Sequence, residues 1–546
     1  IGGISPTWTP RSWVQVRANA GLDYAAQTDD NYCLRDECPN FGQNRLGFRG
    51  QTRTRLFQYT GDILANFSFR PFSWLSTRTT PGYQYIYRYD DAVSASGAQL
   101  PPGARTISDG AVPGAGQGTT VAKTAGLFIE QNLQFFDKLD VVASVRADEN
   151  SAFGQNFGVA YYPRLGFSYQ MHQEGWFPFK DKINVLRLRS TWGQNGLRPG
   201  TTAALQFFAG NAYRANAADV PGLIFQTLGN VDLRPATLTE LEGGLDIELF
   251  ESRFTASLTA YQRQTDDEII NQVLAPSIGT GATTRAANLG RTQNRGFEYI
   301  LTARPLQANA LGWDVTLNGS FNRNRVLSLG NIPPTIGQTQ RRVVGYPDNG
   351  FWQRPYTFAD ANGNGMLELS EVTILPDVQF VGPRLPEHEI SLINGVDLFR
   401  NQLRLSALTD YKGGYFILNT TERFRCGTRN NAQERIDPSA PLERQARCVA
   451  FLQPGVNSSQ FGYMEDGSYI RLREIAATWR IPETLVRRTR YLRSGTLTLA
   501  GRNLAVWTDY TGVDPETAGG GLGETQDEFQ ITPPLRTWTL RFNFGF

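Results

Sequence analysis

The segment DANGNGMLELSE at 360–371 concentrates the most chemistry in the chain. Asp360, Asn362 and Asn364 fall at loop positions 1, 3 and 5, Gly365 at 6, Met366 at 7 and Glu371 at 12. An EF-hand loop uses this spacing to gather hard oxygen ligands around calcium, with the glycine allowing a sharp turn and position 7 offering its main-chain carbonyl. The competing reading is an Asn-Gly turn that holds no metal. Calcium in 360–371 is the one cofactor the sequence suggests.

Catalytic groups are sparse. There are 2 histidines, His172 in an expected short turn and His388 at the start of an expected strand. No Ser/His/Asp arrangement can be built from them, and no glycine-rich phosphate loop opens a helix. Asp266, Asp267 and Glu268 read as a solvated acidic loop tip. The chain is therefore not expected to be an enzyme.

The 4 cysteines fall as two local pairs, Cys33 with Cys38 and Cys426 with Cys448. Both pairs lie in polar loop sequence. That placement fits disulfides in an oxidising compartment, and a metal site is the weaker reading because both histidines are distant in sequence.

Composition sets what can position these groups. Lys and Arg number 53 against 51 Asp and Glu, a net charge of +2, which leaves no electrostatic footprint for nucleic acid. Mean hydropathy is −0.36. No stretch approaches the roughly 18 apolar residues of a spanning helix. Aromatics are nonetheless 12% of the chain, with 33 Phe, 21 Tyr and 10 Trp beside 55 Gly and 3 Met. That mixture suits short strands, many turns and aromatic girdles. The opening IGGISPTWTPRSWVQV carries neither an initiating Met nor a secretory signal, so the chain is expected to be a fragment lacking an N-terminal portion.

The last strand shows the repeating pattern most clearly. Trp538, Leu540, Phe542, Phe544 and Phe546 alternate with Thr537, Thr539, Arg541, Asn543 and Gly545, which puts one apolar and one polar face on a strand. The same alternation recurs from Val14–Tyr24 onward, in segments near 57–69, 74–89, 123–135, 139–150, 157–170, 183–195, 237–250, 253–266, 292–304, 312–326, 388–399, 402–412, 468–481 and 494–507. About sixteen segments result, each long enough to cross a bilayer when tilted.

Connections alternate as well. Tight ones at 70–74, 136–139, 250–253 and 399–402 are separated by long polar stretches near 25–53, 90–121, 196–236, 267–291, 327–387, 413–467 and 508–534. Short turns at one end and long loops at the other are the asymmetry of an outer-membrane barrel. The fold expected is all-β, an antiparallel transmembrane β-barrel in which 1–546 form one barrel domain. With short turns periplasmic, the last strand runs inward and Phe546 ends at the periplasmic rim. Both cysteine pairs then fall in outward loops. The first strand, Trp13–Tyr24, would be left as an open edge, which does not persist in lipid.

Several phrases resemble the SusC/RagA family of TonB-linked outer-membrane transporters. EDGSYIRLREI at 465–475 and GRNLAVWTDYTGVDPE at 501–516 look like the family's ending. LRSTWGQNG at 188–196, the stretch NVDLRPATLTELEGGLDIELF at 230–250 with its continuation to 269, and NLGRTQNRGFEYIL at 288–301 look like family phrases in the expected order. Within them Gly296, Gly501, Asn294 and Asn503 read as architectural, for bends, close approach and strand-end turns.

The resemblance implies a barrel of about 22 strands, of which about sixteen are present here, with the N-terminal plug absent. It implies TonB-dependent import of a glycan or peptide fragment across the outer membrane of a Gram-negative bacterium. It also implies a SusD-like surface lipoprotein as partner, TonB engaged through the missing portion, and barrel assembly machinery reading the aromatic last strand. Inward-facing candidates for tuning passage are Arg146, Asp148, Asp246, Glu248, Arg502 and Arg541, and their bland role is to hydrate a wide lumen. Tyr411, Tyr415 and Phe416 could stack on sugar rings or simply form part of a girdle. A passive porin of about sixteen strands and a surface adhesin or other non-transport barrel remain the alternatives.

Overall fold

The computed structural model describes residues 2–37, 45–215, 218–278, 283–330, 333, 335–337, 339–455, 458–486, 488, 491–517 and 527–545. They form two compact units: Ile1–Ser168 with Thr191–Thr239 and Thr265–Leu289, and Tyr169–Ser190 with Glu240–Gln264 and Gly290–Phe546. Among the described residues no helix is long and apolar enough to cross a membrane, which says nothing of a β-barrel.

The first unit is an antiparallel ladder of long strands. Val14–Cys33 pairs with Phe48–Phe72, which pairs with Leu75–Ala98, then Val112–Phe135, then Leu139–Asn150. Alternation places Leu127, Ile129 and Val145 on one exposed face and Arg146 and Asp148 on the other. Aromatic side chains meet across strands on the apolar face, as with Tyr24 and Phe57, whose centroids are 4.8 Å apart. At the short-turn end Trp74 stacks against Phe72, Phe135 and Phe136 at 5.3, 6.2 and 5.8 Å. The turn there is tight because Phe136 and Asp137 both adopt positive φ, 53° and 57°.

Two features differ from the sequence pattern. Strands run well into the stretches expected as loops, to Cys33 and from Phe48, to Ala98 and from Val112, and on to Val273. Asp266, Asp267 and Glu268 accordingly lie in the strand Phe254–Val273, and Asp267 accepts from Arg234 at 2.9 Å. The 196–236 stretch contains the hairpin Phe207–Ala215 and Ala218–Thr227. The edge expected to be open is also occupied. Gly2–Ile4 pairs with Ala20–Leu22 and Thr7–Arg11 with Val14–Arg17, the register shifting between Trp8 and Arg11, where Pro10 has no N–H to donate.

The second unit carries its own ladder. The strand Thr284–Gln307 pairs with Leu311–Ser328, followed by His388–Leu398, Leu403–Gly413, Tyr469–Arg480, Ser494–Thr508 and Thr537–Gly545. Phe399, Arg400 and Asn401 make a tight turn with positive φ, as do Phe250, Glu251 and Ser252. In the last strand Trp538, Leu540, Phe542 and Phe544 lie opposite Gly501, Leu499, Leu497 and Gly495, and Trp538 is 69% exposed. Phe546 lies outside the described residues.

At the long-loop end of this unit the connections build a small subdomain. Gln340–Arg342, Gly350–Gln353 and Gln379–Gly382 pair in one sheet, and Phe416–Asn419 pairs with Met464–Asp466 and, in parallel, with Asp527–Glu528. Phe351, Leu418, Tyr463 and Met464 pack with the Cys426–Cys448 disulfide and Ala432. Leu367 and Val372 pack against Ala446 and Ala450 of the helix Leu442–Leu452. Burial of these apolar side chains at roughly 25 cal/mol per Å² is what holds connections this long in one arrangement.

Candidate functional site

The polar face of each ladder is paved with arginine–carboxylate clamps. In the first unit Arg146 donates to Asp148 at 2.9 Å and to Gln84 at 3.0 Å. In the second, Asp246 accepts from Arg187 at 2.9 Å, Arg189 at 3.3 Å and Ser257 at 2.6 Å. Arg404 grips Asp314 with both Nη atoms, at 2.8 and 2.9 Å, and reaches Asp397 at 2.6 Å. Arg502 holds Glu474 at 2.6 Å, and Glu248 accepts from Ser252 at 2.9 Å. Arg541 stands on the same face opposite Thr498.

Glycines make room for these clamps. A Cβ on Gly126 would meet Arg146 Nη2 and Asp148 Oδ1 at 2.3 Å, one on Gly244 the Arg189 guanidinium at 2.5 Å, and one on Gly395 Arg404 Nη2 at 2.2 Å. The bare backbone lets each guanidinium lie flat across its neighbouring strand. Gly296 and Gly501 do the same for rings, since added Cβ atoms would meet Tyr261 at 2.4 Å and Trp538 at 2.7 Å. Asn503 has φ 53°, and Asn294 accepts from Asn324 at 3.1 Å.

Two distant phrases of the sequence meet at the long-loop end of the second unit. Arg471 and Arg473, from IRLRE, face Asp514 and Glu516, from the Asp-Pro-Glu loop. Arg471 lies 2.5 Å from Asp514 and 3.2 Å from Glu516, while Arg473 lies 2.8 Å from Glu516 and 2.6 Å from Asp410. Burial alone would raise the Glu516 carboxyl, but Arg473 and Arg471 outweigh it and hold the group below its usual 4.5. Asp514 also accepts from the Glu516 N–H at 2.9 Å, which fixes the loop's turn.

Sequence reasoning missed a second hub. Arg447, 6% exposed, pairs with Glu434 and Glu465, both at 3.1 Å, and lies 5.0 Å from the centroid of the Tyr463 ring. Burial would lower its pKa, but the two glutamates raise it. Tyr415, Tyr463 and Tyr510 are all held protonated, chiefly by burial. Only the helical spacing of LERQARCVAFL offered a signal for Arg447, because its partners lie in other segments. Tyr415 is buried at 3% exposure and donates to Pro515 O, and Phe416 packs on the disulfide cluster. Tyr411 sits in a strand opposite Ile390, on the apolar face. None of the three offers a free ring face on the polar side of its unit. The cysteines divide: Cys426 and Cys448 are bonded, Cα atoms 5.8 Å apart, and Cys33 is disulfide-bonded while Cys38 lies outside the described residues.

The 360–371 loop closes on its own backbone. Asp360 accepts from Gly363, Asn364 and Gly365, Asn362 from Asn364, Asn364 from Met366, and Glu371 from Ala361, Asn362 and Glu368. Gly365 has φ 80°, as position 6 requires. Gln445 clamps the loop to the helix through Leu367 N–H and Gly365 O. Among the described residues no cluster of three His, Cys, Asp or Glu side chains forms a metal site. The donor set here is two carboxylates and two amide oxygens, which suits a hard cation rather than zinc. His172 accepts from the Leu186 N–H at 3.2 Å and His388 packs on Phe321.

Three comparisons bear on this arrangement. A family model described as "TonB dependent receptor-like, beta-barrel" matches residues 4–504. TonB-dependent receptor P3 of Formosa agariphila is 23% identical over 467 residues, covering 77% of the chain and 45% of that protein. TonB-dependent receptor SusC of Bacteroides thetaiotaomicron is 24% identical over 267 residues, covering 41% of the chain and 25% of that protein. The solved structure of the RagAB peptide transporter superposes on 99% of the chain and 61% of its own, with a TM-score of 0.81 at 20% identity, a likeness of fold. The chain spans about half the length of the curated relatives it matches, 45% of the first.

Proposed function

Because the chain belongs to the TonB-dependent receptor β-barrel family, outer-membrane proteins of Gram-negative bacteria, we propose that it forms the wall and outer loops of a barrel that imports a nutrient, a glycan or peptide fragment, in TonB-dependent fashion. In a barrel of this kind the apolar face meets lipid and the clamped face lines the lumen. The observation that carries the reading is the clamping itself. Arginines 404, 146 and 189 are each tied to carboxylates rather than left free, so the wall is hydrated and polar without a strong field of either sign. Such a wall suits neutral or mixed-charge solutes with many hydrogen-bonding groups.

The outer subdomain, locked by its disulfide and the Arg447 hub, is the surface on which a SusD-like lipoprotein would dock and substrate would first be met. Coupling to TonB belongs to the whole protein. Asp360, Asn362, Asn364, Glu371 and the Met366 carbonyl are proposed to hold calcium, which would brace this subdomain through Gln445 rather than take part in transport.

The test is electrical. The whole protein in a planar lipid bilayer is expected to give no steady open-channel conductance, because a transporter stays closed without its energy source. A stable ohmic channel would instead establish a passive porin.

A further inference from the structure

Three arginines stand on the wrong face for the lumen. On Leu311–Ser328 the residues Leu311, Trp313, Val315, Leu317 and Phe321 alternate with Asp314, Thr316, Asn318, Ser320 and Asn322. Asp314 is gripped by Arg404 and Asn322 by Tyr261 and Asn294, so the even positions belong to the polar face. Arg323 and Arg325 continue the odd series beyond Phe321 and are exposed. Arg295 lies directly opposite Arg323, and Gln293 opposite Arg325. Phe297, opposite Phe321, continues the apolar row just below.

None of the three arginines makes an ion pair or hydrogen bond among the described residues. Like charges directly opposite on neighbouring strands destabilise a sheet unless something neutralises them. With Gln293, Phe297 and Phe321 they line a surface recess of about 710 Å³. The height of the recess follows from geometry. Leu311 to Phe321 spans about 33 Å along the strand at roughly 3.3 Å per residue. At a tilt near 40° that is about 25 Å of membrane, the height of the apolar band of such barrels. The arginines therefore begin where hydrocarbon ends, on the long-loop side.

We propose that Arg295, Arg323 and Arg325 form a binding site for the phosphate of an outer-leaflet glycolipid, its acyl chains lying on Phe297, Phe321 and the apolar face below. Guanidinium groups match phosphate oxygens in bidentate geometry. A lipid source is favoured over a dissolved anion because the patch is continuous with the lipid-facing row. Asn294, Asn322 and Asn324, immediately behind on the polar face, bond among themselves and take no part.

The test uses full-length protein extracted from outer membranes in mild detergent and examined by native mass spectrometry, with diphosphoryl lipid A and its dephosphorylated form as probes. The inference expects the phosphorylated form to be retained at least about tenfold better. It expects R295Q/R323Q/R325Q, still migrating as a heat-resistant folded barrel, to lose that preference. Equal retention of the two lipids by the unaltered protein overturns it, even should the triple variant fail to fold. Undiminished preference in the folded variant overturns it too, and displacement of lipid A by millimolar inorganic phosphate would assign a free-anion site and reject the lipid.

Discussion

Arg471 donates to Asp514 at 2.5 Å, and the two side chains are 3% and 6% exposed. This contact ties the outer end of the strand Tyr469–Arg480 to the loop that leads into the last strand. Breaking a buried pair by removing one partner strands the other charge, at a cost of about 3–5 kcal/mol. Arg471→Met is therefore expected to release residues 509–517, seen as lost amide-exchange protection there. Unchanged protection would show that the loop is held by other means.

The same cluster sets an acid limit. Glu516 is held below its usual 4.5, so it contributes stability that is present above pH 4.5 and lost as pH falls through its lowered value. Amide exchange in 509–517 is expected to accelerate below that pH, and Glu516→Gln to remove the dependence. An unchanged acid profile in Glu516→Gln would place the transition on another group.

The disulfide should matter locally. Cys426 and Cys448 are separated by 22 residues, and a loop of that size gains about 3 kcal/mol from closure. The C426S/C448S variant is expected to become protease-sensitive within 413–467 while its barrel keeps heat-resistant migration. Resistance equal to the parent would mean that the Arg447 hub suffices.

How far the sequence reached can be traced in particular residues. Alternation located strands wherever lipid covers one face and water the other, as at Leu139–Asn150. It faded at 25–33 because side chains on both faces of the strand are exposed there, yet its backbone pairing continues to Cys33. The Arg471–Asp514 contact was half legible: both phrases stood out, but 43 residues separate them and nothing in either says they meet. Arg447 had only the helical spacing of its own segment to mark it, because its partners Glu434 and Glu465 lie in other segments.

Calcium should stiffen the 360–371 loop. Extracellular loops of this kind bind in the range of roughly 10⁻⁴–10⁻³ M. Millimolar calcium is expected to slow proteolysis near 360–371, and D360N/E371Q to abolish the effect. Protection that survives both substitutions, or no effect of calcium on the parent, would leave the Asn-Gly turn as the sufficient account.

The central claim is energised uptake through a clamped, polar barrel. It is tested most directly by following labelled oligosaccharide or peptide fragments, too large for porins, into cells that carry the gene, lack it, or lack TonB. The account predicts that uptake is lost equally in both deletions and returns when either gene is restored. Uptake that persists without TonB but disappears with this gene would contradict it and make the barrel a passive pore.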